Sequence, residues 1–347
     1  MTIEARFTIN ATGVWAGRLA ELAGCPGVTV VPGKGIMIAT NHRLVNTVVN
    51  RCELPGDGDI IVPIRTVSVI GTTDAEVDDP DELEITRDEV QEMLESGDRL
   101  VPGFSSSRQL RVWAGARPLF QDEKAAAGDT RDISRGLALV DHVQRDGVAG
   151  FITITGGKAT TFRLMAEVAV DAMCEQLGEP RPCRTADEEL PGDSPDGHYW
   201  LGSRLAGRER TMRDDQLICE CELVPRRRLE EAIARQATDN LDDVRRVLRL
   251  GMGPCQGGFC IYRATGILHG ERRLDGPGAN ASLLAFLQER WKGVQPILFG
   301  DQLRQARLDD WIFQGLLDVE HLPGDRPPEP RSREVSAILH ASDQGAG

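Results

Sequence analysis

Four of the eight cysteines constrain this 347-residue chain more than any other feature. Cys219 and Cys221 stand one residue apart, and after 33 further residues Cys255 and Cys260 follow with four residues between them. Both pairs lie in turn-forming sequence. The first precedes a helix expected to begin at Pro225, and the second sits among Gly251, Gly253, Gly257 and Gly258. The stretch from Asp215 to Gly270 reads as compact and mostly helical, so a helical hairpin brings the pairs together. Four soft thiolates then surround one small volume, as zinc or an iron–sulfur cluster requires. Spacing leaves both open, although a single residue between Cys219 and Cys221 is tighter than zinc ribbons use and favours iron–sulfur. The glycines let the backbone wrap closely and aim N–H groups at sulfur. Cys25, Cys52, Cys174 and Cys183 are scattered and are expected to fill core or near-surface positions.

Metal-bound or reduced thiols fit the compartment that the sequence implies. Met1 to Arg6 lacks a basic segment followed by an apolar core, so no signal peptide is expected and the location is read as cytoplasmic. A net charge of −14 argues against a general affinity for nucleic acid or anionic lipid. No run approaches the 18 or so apolar residues of a membrane span. Only Lys34, Lys124, Lys158 and Lys292 are lysines, against 36 arginines. Excess carboxylate with little lysine suits a salt-rich, acidic proteome; arginine-rich codon usage explains it equally well.

Before the cysteine unit the pattern is α/β. Ile3, Ala5, Phe7 and Ile9 alternate with polar residues over Thr2 to Asn10, a strand that runs into Ala11, Thr12 and Gly13. Val14 to Ala23 follows as a helix with Trp15, Leu19 and Leu22 on its apolar face. A chain that opens in mid-strand reads like the tail of a larger domain. Short β-rich segments at 28–31, 35–39, 44–50, 60–62 and 67–72 predict an antiparallel or mixed sheet. A helix within 78–100 is signalled by Thr86 and Glu89 in capping-box spacing. Strands are expected at 109–119, 134–141 and 150–155, then a helix over 162–176. The domain plan is an oxidoreductase-like unit over 1–192, a linker over 193–214, the cysteine unit over 215–270, a helical segment over 271–325 and a disordered tail over 326–347.

Two glycine turns mark the first unit. Gly156, Gly157, Lys158, Ala159, Thr160 and Thr161 join a buried strand to a helix, leaving backbone N–H groups unpaired at the helix start. That end carries partial positive charge and accepts phosphate or the electron-rich edge of a reduced flavin, and Lys158 adds a full charge. A plain strand-to-helix corner is the simpler reading. Ala11, Thr12 and Gly13 form a second strand-end turn with small residues. No GxGxxG follows a strand, so the ADP half of a dinucleotide has no recognisable seat.

Several strings resemble FAD-dependent glycerol-3-phosphate dehydrogenases: Ile9 to Trp15, Ile70 to Asp74, Gly115 to Leu119 and Gly150 to Glu167. The cysteine unit resembles the bacterioferritin-associated-ferredoxin-like (BFD-like) [2Fe–2S] module. That module, followed by Leu287 to Gly293 and Gly300 to Arg304, is similar to the A subunit of the anaerobic, quinone-linked branch. The likeness extends to about residue 320 but begins after the family's GxGxxG segment. A misassigned start, a split gene or a fragment would each account for that. Where Met37 stands, aerobic relatives carry a histidine.

The resemblance implies the remainder of a Rossmann-like FAD domain with an antiparallel or mixed substrate sheet, then a small helical BFD-like domain. Its cofactors would be FAD, held by residues 11–13 and 156–161, and a [2Fe–2S] cluster on the four cysteines. Its reaction would oxidise sn-glycerol 3-phosphate to dihydroxyacetone phosphate. Electrons would pass through the cluster and partner electron-transfer or membrane-anchor subunits to a quinone. Arg117 is the expected phosphate fork, Lys158 the charge near substrate and flavin, and His142 the first candidate for the base. A surface histidine paired with Asp141 is the alternative reading of His142. Rival functions are a related amine or 2-hydroxy-acid oxidoreductase, or a non-catalytic electron-transfer subunit.

Overall fold

In the computed structural model, residues 2–52, 60–121, 136–188, 201–211, 215–236, 240–271, 274–316 and 318 are described. The expected disordered tail and Lys124 lie outside them. The chain divides into two units, Met1–Tyr199 and Trp200–Gly347.

In the first unit, the alternation at the chain start yields a strand shorter than its pattern. Only Thr8–Asn10 (β1) pairs, parallel to Phe151–Gly156 (β9), with Asn10 opposite Thr153. Leu137–Asp141 (β8) runs antiparallel along the other side of β9, giving the order β1-β9-β8. All six residues of β9 are buried, as expected for a central strand covered on both faces.

A second, six-stranded sheet is organised around Val30–Thr40 (β2), where two separate strands were expected. The run continues through Pro32 and Gly33 because Gln109–Phe120 (β7) pairs with it along its length, from Val30 opposite Phe120 to Thr40 opposite Gln109. On its other side β2 pairs with Val67–Gly71 (β5) and Ala75–Glu76 (β6), while Ile60–Ile64 (β4) bridges β5 to Val49–Asn50 (β3). All these pairings are antiparallel. The strand expected from Leu44 is reduced to its last two residues, because the Leu44 amide donates to Ser68 Oγ (2.9 Å) outside the strand ladder. Ile36, Ile38, Ile61, Ile70 and Leu110 are fully buried.

Helices connect these strands. Ala16–Leu22 (α1), entered through a 3-10 turn at Gly13–Trp15, buries Ala16 and Ala20. The expected Trp15–Leu19–Leu22 face is therefore not the packed one, and Leu22 is 85% exposed. The reason is proximity: a Cβ on Gly17 would stand 2.4 Å from the Val28 carbonyl oxygen, so the helix packs by its small side. Arg87–Leu100 (α2) begins with the expected capping box, Glu89 N–H donating to Thr86 Oγ1 (3.2 Å) and Thr86 N–H to Glu89 Oε2 (3.0 Å). His142–Asp146 (α3) is a short turn between β8 and β9, and Phe162–Gln176 (α4) follows β9.

In the second unit, Leu201–Thr211 (α5) is helical although it falls in the expected linker; it has no proline. Leu217–Cys219 (β10) and Val224–Pro225 (β11) form a hairpin that leads into Arg226–Gln236 (α6). Leu241–Leu248 (α7), Cys260–Gly270 (α8), Gly276–Val294 (α9) and Asp301–Asp310 (α10) follow. Their shared core includes Leu229, Leu250, Ile261, Leu268 and Phe286 together with Cys219 and Cys260. Among the described residues no helix is long and apolar enough to cross a membrane.

Candidate functional site

The four cysteines gather as their spacing requires. Cys219 ends β10, Cys221 lies in the hairpin turn, Cys255 lies in the loop after α7, and Cys260 opens α8. The pairing is crossed: the Cys260 thiol donates to Cys219, and the Cys221 thiol to Cys255. Cys219 and Cys260 are buried, the other two partly so.

Six backbone N–H groups converge on these sulfurs. Those of Gly257, Gly258 and Phe259 point to Cys255, that of Gly251 to Cys260, that of Glu222 to Cys219 and that of Cys255 to Cys221. The hydrogen bond from Cys221, helped by the three N–H groups, outweighs burial and brings Cys255 down to about 6. Cys219 is lowered by the hydrogen bond from Cys260. Cys221 and Cys260, as the thiols that donate, are raised. Cys255 is thereby the sulfur most readily ionised, and the thiolate is the form that binds metal.

Glycine is needed at two points of the loop. Gly251 and Gly257 have φ of +73° and +96°, and a Cβ at either would meet the Phe286 ring at 2.7 and 3.0 Å. Phe286 belongs to α9, so this helix forms one wall of the cysteine loop. Gly253 acts differently from expectation, its carbonyl accepting from the Gln256 N–H (2.9 Å) and Nε2 (3.0 Å) to close the turn. A four-sulfur donor set under converging N–H groups fits an iron–sulfur cluster.

In the first unit, β1 and β9 lie side by side and parallel, and each leads at its carboxyl end into one of the two glycine turns. That edge is where open α/β sheets hold ligands. Ala11 and Thr12 are exposed, and Gly13, at φ +62°, has open space where a Cβ would stand. Gly156 and Gly157 have φ of +70° and +72°; a Cβ would meet the Gly136 oxygen at 2.4 Å or Met165 Sδ at 2.4 Å. Lys158, Ala159 and Thr160 are exposed at the helix start. Thr161 closes the corner, its Oγ1 accepting from the Lys158 N–H (3.0 Å) and donating to the Lys158 carbonyl (2.9 Å). An exposed helix start with glycines behind it suits the polar edge of a flavin, so the residues present fit that part of FAD.

His142 is wholly buried. Its Nδ1 lies 2.5 Å from Asp146 Oδ2 and its Nε2 2.8 Å from Thr153 Oγ1, and the ring stacks on Phe151 at 4.7 Å. Thr153 Oγ1 in turn accepts from Asn10 Nδ2 (3.1 Å), which also donates to the Ala16 carbonyl (2.9 Å), while Thr12 Oγ1 donates to Asn10 Oδ1 (2.7 Å). Both ring nitrogens are therefore engaged, and the partner is Asp146 where Asp141 was the alternative. Asp141 instead caps α3 by accepting from the Val143 N–H (2.9 Å). Cys25 is also buried beside Asp146, and burial, more than that carboxylate, pushes its thiol up.

Arg117 lies on β7 opposite Gly33. Its Nη1 donates to Asp74 Oδ1 (2.9 Å) and its Nη2 to Thr73 O (2.8 Å) and Thr72 Oγ1. A Cβ on Gly35 would stand 2.6 Å from Nη2, so the glycine makes room for the guanidinium. The segment Thr72–Asp74, part of a string that marked the resemblance, is thus the cradle of Arg117, a role that sequence reading missed. Lys34, one of the four lysines, is a buried partner of Glu89 (2.8 Å) and donates to the Glu84 carbonyl (2.8 Å). Burial opposes ionisation of Glu89, but the Lys34 hydrogen bond and the Thr86 N–H overcome it and hold the carboxyl below its usual range.

Residues 2–163 match the family of FAD dependent oxidoreductases (DAO), and residues 217–269 match the BFD-like [2Fe-2S] binding domain. The chain therefore carries a FAD-dependent oxidoreductase domain followed by a [2Fe–2S]-binding domain. It is 40% identical over 339 residues to the A subunit of anaerobic glycerol-3-phosphate dehydrogenase from Escherichia coli K12, covering 92% of this chain and 62% of that protein. The corresponding protein of Haemophilus influenzae is 37% identical over 344 residues, covering 92% and 60%, and the A1 subunit of Haloferax volcanii is 38% identical over 362, covering 99% and 60%. The chain spans about three-fifths of the length of these relatives. The resemblance seen in the sequence strings is borne out, as are the two cofactor types.

Proposed function

We propose that this chain oxidises sn-glycerol 3-phosphate to dihydroxyacetone phosphate as the A subunit of an anaerobic-type dehydrogenase. The observation that carries the reading is the four-sulfur site appended to a FAD-dependent oxidoreductase domain. A dehydrogenase that passes hydride to NAD needs no such one-electron outlet. FAD, when bound, would supply the acceptor for the hydride leaving C2, and a [2Fe–2S] cluster on the four cysteines would supply a one-electron outlet.

This chain's own residues would bind and orient. Gly156 to Thr161 and Ala11 to Gly13 hold the flavin edge, and the exposed Lys158 stabilises negative charge that develops beside it. Arg117, held by Thr72–Asp74 and ion-paired with Asp74, is the cation proposed to face the substrate phosphate. His142 would serve this edge by fixing Thr153 and, through it, Asn10 and the turn after β1. Cys219, Cys221, Cys255 and Cys260 are the cluster ligands. Partner subunits would carry the electrons to a quinone at the cytoplasmic face of the membrane.

The test is anaerobic reduction of the protein purified with its partners. Glycerol 3-phosphate is expected to bleach the flavin absorbance and bring up the electron paramagnetic resonance (EPR) signal of a reduced [2Fe–2S] cluster. Bleaching by an amine or a 2-hydroxy acid alone would replace this substrate. A brown preparation with no flavin would indicate a non-catalytic electron carrier.

A further inference from the structure

Glu222 follows the first cysteine pair directly, and its side chain is fully buried. Arg249 grips its carboxylate with two nitrogens, Nε at 3.3 Å from Oε2 and Nη2 at 3.4 Å from Oε1. Arg249 caps α7 with φ +63°, a left-handed conformation disfavoured for a residue with a side chain. Two residues later comes Gly251, whose N–H addresses Cys260; the N–H of Glu222 itself addresses Cys219. One forked ion pair thus fastens the hairpin of the first cysteine pair to the loop of the second. By contrast, Arg263 meets Glu220, between the two cysteines, at the surface, where Glu220 is 58% exposed.

A buried ion pair is weak as a stabilising device, since desolvation offsets most of its attraction. It is a strong local field, however, because a buried charge is poorly screened. Each electron entering the cluster adds one negative charge to the sulfur cage. A carboxylate close by resists that charge and a guanidinium favours it, and burial and charge near the sulfurs are what tune such clusters.

Resting on the reading of the four cysteines as cluster ligands, we infer that Glu222 and Arg249 are positioning residues that set the reduction potential of the cluster, acting with opposite sign. Glu222→Gln keeps the shape and removes the negative charge, so the potential rises. Arg249→Gln removes the positive charge, so the potential falls. The double variant returns towards the original value.

The experiment is an EPR-monitored redox titration of the protein purified anaerobically with its partners. Each Gln variant is expected to change the reduced-to-oxidised ratio at fixed potential at least tenfold, about 59 mV for one electron. The charge-preserving Glu222→Asp and Arg249→Lys are expected to retain the cluster with smaller shifts. Unchanged potentials at full iron content, or shifts of one sign in both Gln variants, would overturn the inference while leaving the cluster assignment intact. Loss of the cluster from all four single variants would assign the pair to folding alone and also overturn it. A parent protein holding zinc and no iron would instead sink the cluster reading on which the inference rests.

Discussion

The cysteine site and the glycine edge reach readiness for a ligand by opposite means. In the second unit the ligating atoms are already assembled: sulfur meets sulfur in two crossed pairs, and the surrounding amides point inward. In the first unit the edge is made of backbone and one exposed lysine, with its side-chain network of His142, Thr153 and Asn10 kept behind it. A site of soft ligands must be shielded and can be complete within a short segment. A site for a large, polar, partly solvated group needs an accessible rim and draws on residues far apart in sequence.

Breaking the cysteine site should have the largest effect. Cys255→Ser or Cys260→Ser is expected to cut iron retention by more than about 100-fold, since even loss of an outer hydrogen bond at a metal site costs 10- to 100-fold. Metal analysis after anaerobic purification checks this, and the flavin content should stay unchanged. At the edge, Lys158→Met removes an exposed charge and no packing. Turnover should fall by about 10²-fold with the melting temperature unchanged, the signature of a group that acts on charge developing in the reaction. A parallel loss of thermal stability would mean that Lys158 supports the fold instead.

Gly157→Ala sharpens the comparison from the structural side. The added Cβ meets Met165 in a left-handed backbone, so the first unit should lose about 1–3 kcal/mol, read as a lower melting temperature and weaker flavin retention. Iron content should not change. The smallest effect is the pH response of Glu89. Its folded carboxyl is held below the ordinary value, so its contribution is present above the unfolded pKa and is lost as the pH falls through the folded one. Melting temperature measured down to pH 3 should show a steeper acid decline in the parent than in Glu89→Gln.

The legibility of the two sites differs for the same physical reason. Four cysteines in two close pairs leave few arrangements open, and the structure realises the gathering that their spacing implied. The capping box of α2 was equally plain because it depends on neighbours in sequence, and β9 because its run of apolar and small residues marks a buried strand whatever pairs with it. The merging of two short segments into β2 was not, since its continuity comes from β7 some 80 residues away. Nor was the fate of His142. A histidine after a strand is equally suited to solvent or burial; Asp146 reaches Nδ1 from one helical turn further along α3, but only the meeting of α3 with β9 buries the ring and places Thr153 on Nε2. The face of α1 was misread because Gly17 lets the backbone of Val28 approach, an effect that favours alanines over the larger apolar residues.

Phe286 gives the second unit a dependence that its matched segment, residues 217–269, does not contain. The ring from α9 lies against Gly251 and Gly257, the hinge points of the loop that carries Cys255. A version of the module trimmed after Gly270 would retain every thiol yet lose the lid on one side of that loop. The packing of the cysteine loop therefore depends on a helix that contributes no ligand to it.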